Sequence, residues 1–340
     1  MKSRDVIGSA CALAAAAAVL LLRRPTPYPL RDKVVVITGG SRGLGLALAR
    51  EFGRQGAKLA LIARDEKELE RAASDLHNLG AQATTWPCDL QRTEDIEGVI
   101  SGIASKFGRI NVLVNNAGIM LVAPLELQER EDFEETMAIH FWAPYHVIRA
   151  ALPYLRQNPE SRIVNISSIG ARVAVPHMAA YCASKFALAG FSDAIRPELA
   201  KQGVYVTTVS PGLMRTGSHV NANFKGDYRK EFAWFSLGAG MPFFSIDANR
   251  AAHQIVAATR RGSPELTITL QARMLILAQA LFPGCLARIF RLVNSLLPKA
   301  PPEQGLTKQT GYQSQSVVSP SPLTALADRA TAKFNETPEE

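Results

Sequence analysis

In Tyr181-Cys182-Ala183-Ser184-Lys185 a phenol and an ammonium stand four residues apart. Residues i and i+4 share one face of a helix, so the pair suits an ordinary surface as well as a site that moves protons. The chemical case rests on pKa. A tyrosine near 10 is a poor base at neutral pH, and a lysine ammonium one turn away favours the phenolate. A second constellation lies near the start of the chain, Thr38-Gly39-Gly40-Ser41-Arg42-Gly43-Leu44-Gly45. It follows a β-branched run and opens a helical pattern. Glycines there allow a tight turn and close approach of backbone to a pyrophosphate. The helix N-terminus then offers free N–H groups and a positive dipole end to that anion.

Which nucleotide suits the turn is read at the end of the next apolar run. An NAD site usually carries an acidic residue there to hold the ribose 2′-hydroxyl. Here Leu61-Ile62 is followed by Ala63 and Arg64, and Arg42 lies within the glycine turn. Two guanidinium groups suit a 2′-phosphate through charge-assisted hydrogen bonds, which favours NADP(H). Asp65 could act as a displaced acid, which keeps NAD as the alternative.

These residues must be positioned by regular elements. Between residues 33 and 270 short β-branched runs (KVVVIT, KLALIAR, QATTWPCD, VLVNNAG, RIVNISS, VYVTTVSPG and LTITL) alternate with amphipathic stretches near 44–55, 66–79, 93–107, 131–157, 179–201 and 247–261. That alternation predicts an α/β fold with right-handed crossovers and a doubly wound parallel sheet of about seven strands. Ligands of such sheets lie beyond the carboxyl ends of the strands, where each motif falls.

With Asn115-Asn116-Ala117-Gly118, Asn165-Ile166-Ser167-Ser168 and Ser210-Pro211-Gly212-Leu213-Met214-Arg215-Thr216 in order, residues 33–270 resemble the short-chain dehydrogenase/reductase family. The resemblance implies a Rossmann-type single catalytic domain, a nicotinamide cofactor and interconversion of a carbonyl and an alcohol. It makes Tyr181 the general acid/base and Lys185 its partner and a ligand of the nicotinamide ribose. Ser168, thirteen residues before the tyrosine, would donate to the substrate oxygen, with Ser167 the weaker candidate. Thr38, Gly39, Ser41, Gly43 and Gly45 of the turn would bind the cofactor, with Arg42 and Arg64 at the 2′-phosphate. Asp89 would contact adenine and Asn115 would line the crevice. Pro211, Gly212 and Thr216 would lie at the nicotinamide. One position departs. Where the family commonly carries an asparagine that holds a relay water, this chain has His140. An imidazole can pass protons through water, so His140 is expected in the relay, against the plainer reading of a core histidine satisfied by a backbone group. His177 and His219 read as loop residues.

Between Thr216 and Asp247 stand Phe224, Phe232, Trp234, Phe235, Phe243 and Phe244. So many aromatics suggest a pocket, a partner or a membrane, or else packing of the segment onto the domain. The pocket reading favours a lipophilic substrate such as a steroid, a retinoid, or a long-chain ketone or aldehyde. The leading function is NADP(H)-dependent oxidoreduction of such a molecule. A non-catalytic nucleotide-binding scaffold is the alternative, and an isomerase or dehydratase a more distant one.

The formal charge of +8 is uneven: residues 1–33 and 271–300 carry +4 each. Both basic regions flank or interleave apolar runs, which suits a membrane surface better than nucleic acid. Residues 6–22 lack charge and end at Arg23-Arg24. They read as a single-pass anchor with the catalytic domain in the cytoplasm; a cleaved signal peptide and a core helix are the alternatives. Residues 1–32 are thus an anchor and linker, and residues 271–300 two apolar helical patterns broken at Pro283-Gly284. The latter could lie on a membrane, cover a lipophilic pocket, or pack on the domain or on a second subunit of a homodimer. Residues 301–340, rich in Pro, Ser, Thr and Gln, read as a disordered tail. Four scattered cysteines without a C-x-x-C pair argue against zinc and a disulfide framework, so no metal is expected.

Overall fold

The apolar runs form one parallel sheet in a computed structural model that describes residues 26–243, 245–300, 306–316, 319–322 and 324–337. The stretch 6–22, read as an anchor, lies outside the described residues. The strands are β1 (Val34–Thr38), β2 (Lys58–Ala63), β3 (Gln82–Pro87), β4 (Val112–Asn115), β5 (Ser161–Ile166), β6 (Val204–Ser210) and β7 (Glu265–Thr267). Their spatial order is β7-β6-β5-β4-β1-β2-β3. The order reverses between β1 and β4, and the crevice at that switch is where ligands of such sheets bind.

Helices cover both faces, which explains why β1, β4 and β5 are buried at every residue and read as unbroken apolar runs. On one face lie α1 (Gly43–Arg54), α2 (Glu66–Asn78) and α8 (Ala248–Arg261), with Leu46, Leu69 and Ile255 in a common core. On the other lie α3 (Thr93–Phe107), α5 (Ala143–Leu155) and α6 (Ala179–Ala200), with Ile100, Val147 and Leu199. The amphipathic stretch 131–157 is not one helix. It runs as α4 (Arg130–Met137), a π-helical turn at Ala138–Trp142, and then α5. Such turns recur at functional sites, and this one carries His140.

Two boundary expectations are corrected. Tyr28 and Leu30, assigned to a linker, are core residues, and the Tyr28 ring lies under the Arg162 guanidinium at 4.5 Å. The described residues after 300, in a segment expected to be disordered, fold back over the domain. They add a strand at Gln309–Thr310 and the helix α11 (Ala325–Lys333), and the Phe334 ring after it is fully buried in the main core. A polar composition does not preclude order when a few apolar residues are taken up by a core already formed. The segment before α8 also holds α7 (Tyr228–Gly240). The apolar pair after the sheet is helical as expected: α9 (Leu270–Leu281) and α10 (Pro283–Leu296) meet at a bend of 118°. No single described helix is long and apolar enough to cross a membrane.

Candidate active site

A cavity of about 1000 Å³ opens along the carboxyl ends of the strands, from Arg42 and Arg64 at one end past Tyr181 and Lys185 to Trp234 and Leu275 at the other. Gly39, Ser41, Gly43, Pro211, Gly212 and Thr216 line it as well. The glycine turn is built as its chemistry requires. Gly39 and Gly43 have φ of +61° and +56°, which side chains rarely adopt. A Cβ on Gly45 would meet the Gly39 carbonyl at 1.9 Å. Thr38 does not reach the cavity; its hydroxyl accepts the Asn116 and Ala117 N–H groups at 2.9 and 3.1 Å and ties the turn to β4.

Alternation along β4 separates the two asparagines that follow each other there. Asn115 points behind the cleft and donates to Asn165 at 2.8 Å. Asn116 lines the cleft, and its amide donates to the carbonyls of Thr38 and Gly39, both at 3.1 Å. Asp89, expected at adenine, accepts the Gln91 N–H at 3.1 Å and is not among the lining residues; Cys88, Leu90 and Gln91 are. Asp65 caps α2 by accepting the Glu68 N–H at 2.8 Å, so this acid is engaged in a helix terminus. Glu68 itself escaped the sequence reading. Its carboxylate accepts from Ser41 at 2.9 Å and from Arg42 at 3.0 Å.

Helix α6 places Tyr181 and Lys185 on one face, and β5 delivers Ser168 to them. Burial pushes the Tyr181 phenol up to about 12, while a hydrogen bond with Ser168 pulls the other way. Burial also lowers Lys185 to about 7. The lysine donates to the Ile166 carbonyl at 3.0 Å, and its nitrogen stands 5.8 Å from the tyrosine ring centre. Desolvation is the largest cause at the phenol, which is held protonated.

His140 lies in the cavity wall beside Tyr181, their ring centres 5.4 Å apart. Its Nε2 accepts the Ile119 N–H at 3.1 Å, which leaves the proton on Nδ1 to donate to Ser184 at 2.7 Å. Ser184 donates in turn to the Tyr181 carbonyl at 2.8 Å. Burial, with Lys185 nearby, holds the imidazole well below its usual range, so it is neutral. Both nitrogens are taken by protein groups. The geometry thus matches the satisfied core histidine, with no nitrogen open to a relay water.

The aromatics of the following segment divide. Phe224 and Phe232 pack edge to face at 5.4 Å in a small core, Trp234 and Phe235 line the cavity, and Phe243 is exposed; Phe244 lies outside the described residues. Met120, Val175, Met178, Leu213 and Leu275 complete an apolar wall. His177 is not a simple loop residue. Its Nδ1 lies 2.8 Å from the fully buried Glu231, which also accepts from Trp234 at 2.7 Å. Glu231 therefore joins the entrance of α6 to the substrate-side helix α7. His219 is likewise buried, 3.3 Å from Asp328 of α11.

A family model described as short chain dehydrogenase matches residues 33–225. The 11-beta-hydroxysteroid dehydrogenase A of Sesamum indicum is 33% identical over 293 residues, 83% of this chain and 82% of that protein. A dehydrogenase/reductase SDR family protein 7-like of Anopheles gambiae is 38% identical over 57% of this chain, which spans 62% of that relative. A metagenomic short-chain oxidoreductase, solved in complex with NADP, is 35% identical with a TM-score of 0.52, covering 55% of this chain and 85% of that one.

Proposed function

This chain belongs to the short-chain dehydrogenase family, and we propose that it interconverts a lipophilic carbonyl and its alcohol with NADP(H), in the manner of an enzyme acting on steroid-like molecules or long-chain ketones and aldehydes. The observation that carries this reading is the Ser168–Tyr181 pair set in a cavity whose far wall is apolar. A carbonyl oxygen placed between the two hydroxyls would accept both hydrogen bonds. Ser168 would stabilise the charge that develops on it, and Tyr181, protonated at neutral pH, would deliver the proton as general acid. Lys185, anchored on the Ile166 carbonyl, positions its charge behind the phenol. A bound nicotinamide would supply or accept the hydride.

The turn fits a dinucleotide: Gly39 and Gly43 hold positive φ and line the cleft with Ser41, so the backbone there carries no side chain of its own. NADP(H) is favoured over NAD(H) by Arg42 and Arg64 lining the end of the cleft with Ala63, and by Asp65 being engaged as a helix cap. A 2′-phosphate would draw Arg42 from Glu68. The relative solved with NADP and the hydroxysteroid dehydrogenase of Sesamum indicum support the same cofactor and substrate class. Purified protein should oxidise NADPH with hydrophobic ketones or aldehydes, with kcat/KM for NADPH at least about tenfold above that for NADH. Arg42→Ala should erase most of that preference. Turnover of small polar carbonyls alone, or a preference for NADH, would overturn the reading.

Membrane attachment is part of the proposal. Residues 6–22 would anchor the chain, with the domain on the cytoplasmic side. The pair α9–α10 would lie on the surface, because Leu277, Leu281, Phe282, Leu292 and Leu296 are exposed with Arg288 and Arg291 among them. A chain beginning at Thr26, which keeps Tyr28 and Leu30 in the core, should float with anionic vesicles, and Leu281→Glu with Leu292→Glu should release it. Flotation unchanged by the substitutions would exclude this face, and a concentration-dependent dimer lost with them would assign it to a second copy.

A further inference from the structure

The end of the described chain lies across the turn that the proposed cofactor would use, with three consecutive residues engaged there. The Phe334 carbonyl accepts the Gly43 N–H at 2.9 Å, which takes up a backbone donor of the glycine turn. Asn335, at φ +57°, donates to the carbonyls of Ser41 at 2.9 Å and Glu68 at 3.1 Å and accepts from Arg71 at 2.8 Å. The Glu336 carboxylate is almost fully buried in the cavity lining, 3.5 Å from Arg42 and 2.7 Å from the Asn221 amide. One of its oxygens stands 2.5 Å from the place where a Cβ on Gly43 would be, that is, against the bare face of the turn.

We infer that residues 334–336 form a self-inhibitory strap. A carbonyl and a carboxylate fill the anion-binding position of the glycine turn, so that a dinucleotide must displace them to bind. Anion sites of this kind accept carboxylates and phosphates by the same N–H groups and dipole. The Glu336 carboxyl group and a pyrophosphate cannot occupy the same face of the turn, because a carboxyl oxygen already stands against it. The strap is a built feature. The Phe334 ring is fully buried beneath Arg50, and Arg50 also donates to the Lys333 carbonyl at 3.0 Å. The helix before it is tied to the substrate side through Asp328 and His219. Occupancy of the turn and the position of α11 are therefore coupled, and the coupling is reciprocal. When only a fraction of molecules is open, the apparent dissociation constant rises by the inverse of that fraction.

The inference rests on the dinucleotide-binding reading, and the test separates the two. NADPH affinity is measured by titration calorimetry on the full chain and on its Asn335→Ala and Glu336→Ala variants, with hydrogen exchange of wild-type residues 325–337 followed with and without NADPH. Loosening the strap should tighten NADPH binding by about tenfold or more, and NADPH should speed exchange across 325–337. Equal affinities with unchanged exchange would overturn the strap and leave the cofactor assignment standing. Weaker binding in the variants, or slower exchange on adding NADPH, would overturn it by showing that the segment closes over the cofactor. Absence of binding of both NADPH and NADH to every variant would remove the cofactor reading, and the strap with it.

Discussion

Tyr181→Phe should lower turnover of a hydrophobic carbonyl by about a thousandfold while leaving NADPH affinity within about twofold. Removing a positioned general acid typically costs between a hundred and ten thousand in rate. The substitution keeps the ring, its edge-to-face contact with His140 and the helix that carries it, and takes away only the hydroxyl that bonds Ser168. Burial holds that phenol at about 12, so it carries its proton across the neutral range. Loss of this proton falls above the neutral range, so a change in the rate of carbonyl reduction between pH 6 and 8 reports Lys185, lowered by burial to about 7. The check is steady-state kinetics beside calorimetric binding of NADPH to the same preparation. A Phe variant as fast as wild type would exclude Tyr181 as the acid, whereas NADPH binding without turnover of any carbonyl by wild type would restore the non-catalytic scaffold reading.

Gly45→Ala should abolish dinucleotide binding and destabilise the fold by about 3 kcal/mol, at the upper end of what overpacking costs. The added methyl would stand 1.9 Å from the Gly39 carbonyl and 2.8 Å from the Asn116 amide. Neither atom is free to retreat. The carbonyl accepts from Asn116, which in turn fixes Thr38 and the end of β4. Relief would require the turn to open, and an open turn no longer directs its N–H groups at an anion. Gly190→Ala is the matched control. It sits in α6 with nothing within 4 Å of the added Cβ, so it should gain about 0.5–1 kcal/mol. Urea unfolding of both variants, with NADPH titration of the survivors, tests the contrast. Equal stability of the two would show that the close approach at Gly45 is not a constraint.

Both predictions fall on residues whose chemistry is legible in the sequence, for a shared reason. The glycine turn and the Tyr181–Lys185 pair are local patterns, set by residues within one turn of backbone and by the strand or helix that carries them. The parallel sheet is equally legible, because strands buried on both faces read as continuous apolar runs separated by helical periods. Where the residue pattern misleads, the deciding partner is far away in the chain. His140 suits a relay or a core position equally well by type, and the choice is made by the Ile119 amide and Ser184, 44 residues on. Asn115 and Asn116 are adjacent letters, and only the pleat of β4 determines which one faces the cleft.

The sequence alone determined the fold class, the order of the strands along the chain, and the chemistry available at their ends, because these depend on periodicity and on residue type. The tertiary structure decided how that chemistry is tuned and guarded. Desolvation sets the protonation of Tyr181 and Lys185, and desolvation is a property of surroundings drawn from the whole domain. The segment around Phe334 carries no periodic signal and reads as disorder. It is ordered because the core of α1, α2 and α8 takes up one phenyl ring from near the far end of the chain. That long-range contact brings Glu336 to the glycine turn, at a place that neither its neighbours nor its spacing could have indicated.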